Sequence, residues 1–181
     1  MHYKLNGGVV STFLESDPYI PMSIRFGEGD LDVERMGIYG PDGDLLEIAA
    51  SLSNREIREL TLVHCGHFRV IESAITVPCA TSGILAIDMP DHVDVPSFDL
   101  ETFSDGVCFT LGEAASHEYL RSGNVTFGFT EDGGSIAEVF ISGLTANAID
   151  EMVSTLEFYQ SQKDAVLFFD ASRGISRANR A

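Results

Sequence analysis

The chain has 181 residues, 44% of them apolar, which is enough to bury a core in one domain or in two small halves. Eleven Lys and Arg against 28 Asp and Glu give a formal net charge of −17. That balance argues against nucleic acid and against an anionic membrane surface, because both need a basic footprint.

The first elements are short. Tyr3-Lys-Leu and Val9 to Leu14 favour strands, separated by Gly7-Gly8. Asp17-Pro18 and Ile20-Pro21 force turns, since the residue before proline is pushed out of helical space. Met22 to Phe26 predicts a strand and Gly27 to Asp30 a loop. Asp30, Asp32 and Glu34 alternate with Leu31 and Val33, which at a period of two predicts one all-carboxylate face.

Met36 to Ala49 predicts a hairpin turning at Pro41-Asp-Gly-Asp44, with Asp42-Gly43 suited to a type I′ turn. Ser53-Asn-Arg-Glu56 has capping-box spacing, so a helix carrying Ile57 and Leu60 is expected to follow and to end near Leu60. His67 to Ile71, Ala74 to Pro78, Ile84 to Ile87 and Val107 to Leu111 predict strands. Between them, residues 70 to 120 hold nine acids and no Lys or Arg. Asp88 to Asp105, with Pro90 and Pro96, is expected to be an exposed acidic connection, and residues 112–123 a loop or short helix.

Asn124 to Thr130 and Ile136 to Ile141 predict a second hairpin through Glu131-Asp-Gly-Gly-Ser135. Thr145 would cap a helix whose apolar stripe is Ile149, Met152, Val153 and Leu156. Ala165 to Phe169 predicts a buried strand, and the chain from Asp170, with Arg173, Arg177 and Arg180, a frayed tail. The two hairpin-plus-helix units align: Tyr39 on Phe129, Asp42-Gly43 on Asp132-Gly133, and Leu52 on Leu144, 92 residues apart. The fold expected is therefore α+β, with two tandem β-hairpin-plus-helix halves, mostly antiparallel sheet, and helices packed on one side. It would be a single domain over 1–181, with similar halves at about 22–87 and 106–170 joined by the acidic connection 88–105.

Chemical motifs are sparse. Cys65, Cys79 and Cys108 are odd in number and far apart, so they predict free thiols and no disulfide framework. In His64-Cys-Gly-His67, a strand would place Cys65 and His67 on one face as zinc-type ligands, yet no paired spacing supplies the rest of a site. The plainer expectation is a core cysteine flanked by ordinary histidines, with no metal and no cofactor. Asp42-Gly-Asp44 and Asp30-x-Asp32-x-Glu34 resemble fragments of calcium loops, but neither has the full Asp-x-Asp-x-Asp-Gly run with a Glu six residues beyond the Gly. Cys108 with His117, or Ser82, would need a frame that the sequence does not show, so no catalytic residue is named and the balance leans against an enzyme.

What remains is charge. A net −17 would steer in a partner with a basic face. The leading expectation is a non-catalytic protein-binding module, sharpest as a bacterial immunity-type inhibitor of a basic toxin or enzyme. Its contacts would come from Asp30, Asp32, Glu34, Asp88, Asp91, Asp94, Asp99 and Glu101. The alternatives are a small-molecule-binding domain or small enzyme with a pocket between the halves, and a structural homodimer. No stretch approaches the ~20 apolar residues of a membrane helix, and the first fifteen residues lack a signal peptide's apolar run, so a cytoplasmic protein is expected.

Overall fold

The computed structural model describes the backbone of residues 2–6, 12–17, 19–27, 32–88 and 90–175, and side chains over 19–27, 32–88 and 90–162. Asp30 and the Gly27 to Asp30 loop beyond Gly27 therefore lie outside the described residues, as does the tail past residue 175. Mostly β-sheet, the fold ends in one helix.

One sheet has six strands: β2 (Thr12–Asp17), β3 (Ile20–Phe26), β4 (Val33–Tyr39), β5 (Leu45–Ser51), β6 (Ile57–His64) and β10 (His92–Asp94), in the order β10-β4-β5-β6-β3-β2. The other has seven: β7 (Phe68–Val70), β8 (Thr81–Ser82), β11 (Phe98–Phe103), β12 (Gly106–Leu111), β13 (Glu118–Ser122), β14 (Val125–Phe129) and β15 (Ile136–Ser142), in the order β7-β11-β12-β15-β14-β13-β8. A two-stranded antiparallel ribbon of β1 (His2–Asn6) and β9 (Ile84–Asp88) completes the strands. The two sheets share one apolar core, where Phe26 of β3 meets Phe127 of β14 with ring centroids 6.5 Å apart.

Each sheet is built on the same path. A hairpin (β2–β3, or β11–β12) is followed by a three-strand meander (β4-β5-β6, or β13-β14-β15), and the meander's last strand pairs with the hairpin's second. An added parallel edge strand then flanks each meander: β10 on β4, and β8 on β13. The sequence alignment matched β4–β5 with β14–β15, which is hairpin to hairpin but one strand out of step with this shared path.

The expected first helix is strand β6. Ser53 to Glu56 forms a hairpin turn, with Arg55 N donating to Ser51 O (2.9 Å), Ser51 N to Glu56 O (2.9 Å), and Arg55 in the left-handed region at φ 61°. Ile57 and Leu60 are both buried at a spacing of three because the ladder slips: Ala50 pairs with Ile57 but Ala49 with Glu59, leaving Arg58 as an extra residue. Such a bulge puts apolar residues at helical spacing within a strand. In the second half the helix does form. In α1 (Ala146–Ile175), Thr145 Oγ1 accepts from Ala148 N at 3.2 Å, and Ile149, Met152 and Leu156 are buried against the core. The helix packs against β2 and β3 of one sheet and β11 of the other. Residues 165–169, expected as a strand, continue this helix: nothing between Ser161 and Asp164 breaks it, and each added residue gains a backbone bond without a new nucleus.

Two connections differ from expectation for reasons of topology. Residues 74–78 form no strand. They belong to a segment that joins β7 at one edge of the seven-stranded sheet to β8 at the other. Ser73 still runs along β11, since Ser104 N donates to its carbonyl at 3.0 Å. From there to Thr81 eight residue steps reach at most about 29 Å, and six strand spacings also come to about 29 Å. The segment therefore runs nearly extended from one edge of the sheet to the other as a strap, with Ile75 lying over Gly106. The acidic stretch 88–105 likewise contributes two strands, and Phe98, Leu100 and Thr102 of β11 are buried. Residues 112–117 are a loop, but 118–122 form β13.

Candidate binding surface at the β4–β5 tip

The turn between β4 and β5 is set by its residues. Gly40 N donates to Asp44 O at 3.0 Å, and Gly43 adopts φ +79°. Among the described residues other than glycine, only Arg55 has positive φ, so Asp42 does not and the turn is not type I′. It is a three-residue loop, Pro41-Asp42-Gly43, in which the glycine takes the left-handed position. Asp44 points inward, only 2% exposed, and its Oδ1 accepts from Gly66 N at 2.5 Å.

That bond brings together the two polar stretches that stand out in the sequence. Gln160 Nε2 of α1 donates to Gly66 O at 2.9 Å, so both backbone groups of Gly66 are held. Cys65 Sγ donates to His67 O (2.9 Å), His67 Nε2 lies 3.5 Å from Asp42 Oδ2, and His64 meets the Tyr159 ring edge-on at 6.5 Å. Among the described residues no three of His, Cys, Asp and Glu gather as a metal site. Burial, then the charges of Asp44 and Asp99, push the Cys65 thiol up to about 12. Cys65 is a buried tie to the His67 carbonyl, and His67 is an exposed neighbour of Asp42.

The candidate partner residues separate into groups. Glu34 shares parity with the buried Met36 and Ile38 and forms an ion pair with Arg55, while Asp30 lies outside the described residues. Asp32 is exposed beside the β5–β6 turn, where its carbonyl accepts from Leu52 N at 3.0 Å. Glu101 is half-buried and bonded to Arg69 at 2.9 Å. Asp88 is exposed at the end of the β1–β9 ribbon. Asp91 and Asp94 are exposed at the β10 edge, where Asp94 pairs in register with Tyr39, and Asp99 is exposed on β11.

Sequence reasoning missed Tyr39 as a surface feature, treating it only as the counterpart of Phe129. Its side chain is 42% exposed. The available signal was Gly37 two residues earlier on the same face, which leaves room for a ring to lie back along the strand.

Charge pairing sharpens the picture. Six arginines have described side chains, and five of them, Arg25, Arg35, Arg55, Arg58 and Arg69, are in ion pairs. The sixth, Arg121, donates to Thr126 Oγ1 at 3.2 Å. Arg25 and Arg35 converge on Glu59 across the outer face of the six-stranded sheet. None of these ion pairs reaches Asp88, Asp91, Asp94 or Asp99.

A shallow cleft of about 580 Å³ lies elsewhere, within the second half, between residues 114–117 and the β14–β15 turn. His117 Nε2 and Glu131 Oε2 are 3.9 Å apart there, and Asp132 is engaged by Thr130 Oγ1 (2.6 Å) and Gly134 N (2.9 Å), bonds that hold its carboxyl below the usual range. Cys108 is buried on β12, its thiol pushed up to about 12 by burial and by the charges of Glu138 and Glu101, which suits it poorly to act as a nucleophile. Ser82 sits exposed on β8. Compared with models of known protein families and with curated proteins, the chain matches none.

Proposed function

We propose that this protein is a non-catalytic, acidic protein-binding module of the immunity type, acting in the cytoplasm on a basic toxin or enzyme. The observation that carries this reading is the partition of charge. The described arginines are spent within the two sheets, while Asp91 and Asp94 stand exposed on an edge beside an exposed aromatic ring, with Asp88 and Asp99 also left unpaired by them. An unneutralised carboxylate surface speeds encounter with a basic face and disfavours acidic competitors. The short acidic strand β10 also blunts an open sheet edge, so selectivity for a basic protein would come from its charge and not from strand addition. The shared strand path of the two sheets supports tandem duplication of a five-strand unit as the origin of the architecture.

The test is capture of a partner from native lysate on the tagged protein, with washes at low and then high salt. The reading expects a basic protein released by salt, whose own activity is inhibited on stoichiometric mixing. A captured protein that is neutral or acidic, or that keeps full activity in the complex, would overturn it.

A further inference from the structure

We infer that the open face of the Tyr39 ring is a receptor for one cationic side chain, an arginine by preference, presented by the basic partner. This rests on the proposed function and names the chemistry that the surface would recognise.

The ring is held in place by what is missing beneath it. A Cβ built at Gly37 would lie 2.5 Å from Tyr39 Cε2, 2.9 Å from Cζ and 3.0 Å from Oη. The ring therefore lies back against the strand at Gly37, in space that any other residue would fill. The side chain is 42% exposed to solvent. An aromatic ring fixed by its support, with one side bare, loses little conformational freedom when something stacks on it.

The flanks specify the sign of the occupant. β10 pairs in parallel with β4, placing His92 beside Gly37 and Asp94 beside Tyr39, with Asp91 just before the strand. Asp91 and Asp94 are exposed. On the other side Glu47 stands opposite Gly37, but Arg35 engages it at 3.5 Å. Glu59 holds Arg35 as well, at 2.7 Å. The open carboxylates are thus those of the β10 edge. A guanidinium can stack on the ring and reach a carboxylate with its N–H groups at once, whereas an ammonium is a more strongly hydrated point charge.

The experiment is a nuclear magnetic resonance titration of the full chain with N-acetyl-arginine amide, and with the citrulline analogue as its uncharged isostere. The expected result is saturable shifts of the Tyr39 ring protons and of the Gly37 and Asp94 amides with arginine, and not with citrulline. Tyr39→Phe should keep the response. Tyr39→Leu should weaken it by about 2- to 5-fold, for loss of an exposed cation–π contact, and Asp94→Asn should weaken it through loss of a carboxylate. Equal shifts with citrulline, or an unchanged dissociation constant in both weakened variants, would overturn the inference. A basic partner captured equally well by Tyr39→Leu would sink this receptor while leaving the proposed function standing. Arginine binding without any basic partner in lysate would do the reverse.

Discussion

Glu59 is a half-buried carboxylate in the middle of a sheet, and its neighbours decide its titration. Burial alone would raise its pKa, but hydrogen bonds from Arg35 and Ser23 and the charges of Arg35 and Arg25 outweigh burial and hold the carboxyl below 4.5. A group depressed in this way contributes stability above its unfolded pKa, and that stability is lost as pH falls through the folded value. Glu59→Gln should therefore be less stable than the parent near neutrality, with the gap closing at low pH. Urea midpoints of the two proteins at pH 7 and at about pH 3 check this, and a gap that stays constant would contradict it.

The three cysteines differ just as sharply. Cys79 is exposed on the strap, while Cys65 and Cys108 are buried with thiols pushed up to about 12. Because the thiolate is the reacting species, an aromatic disulfide reagent at pH 8 should modify one thiol in the native protein and three after denaturation. Rapid native modification of a second thiol would show that one of these sites opens.

At the scale of elements, the strap depends on Gly106. A Cβ there would lie 2.8 Å from Ile75 Cγ2 and collide with the Ile141 carbonyl oxygen. Gly106→Val should destabilise the fold by roughly 1–3 kcal/mol or more, the range for forcing extra carbons into packed space. Ile75→Ala, which only loosens the strap, should cost less. Chemical denaturation of both variants gives the comparison, and a Gly106→Val protein as stable as the parent would contradict the close packing at Gly106.

The elements also show what a sequence can reveal. The β14–β15 hairpin, its turn and the capped helix were legible because alternation, Asp132-Gly133 and Thr145 all agree locally. The helix expected at Ile57 and Leu60 failed because a bulge at Arg58 imitates helical spacing, and no local rule distinguishes the two. The extended residues 74–78 have strand-like alternation but cross the sheet instead of joining it, a fact fixed only by where β7 and β8 are paired. Of the candidate surface, the acidic stretch was visible as a run without bases. The ion pairs that remove Glu34 and Glu101 from it were not, because Arg55 and Arg69 lie 21 and 32 residues away from their partners in sequence.

For the whole molecule, two sheets that share a five-strand path close on a common core, and the helix bridges them through β3 and β11. No described helix is long and apolar enough to cross a membrane. The fold holds five of its six described arginines in internal ion pairs, in a chain whose formal net charge is −17. Electrostatic attraction of this kind acts mainly on the rate of encounter and is screened beyond about 8–10 Å at physiological salt. The measurement that bears most directly on the central claim is the association rate of the captured basic protein with the parent chain and with the Asp91→Lys, Asp94→Lys, Asp99→Lys triple variant, at low and at high salt. Association should be about tenfold or more slower in the variant at low salt, with the difference shrinking as salt rises. Equal rates for the two proteins at low salt would contradict it.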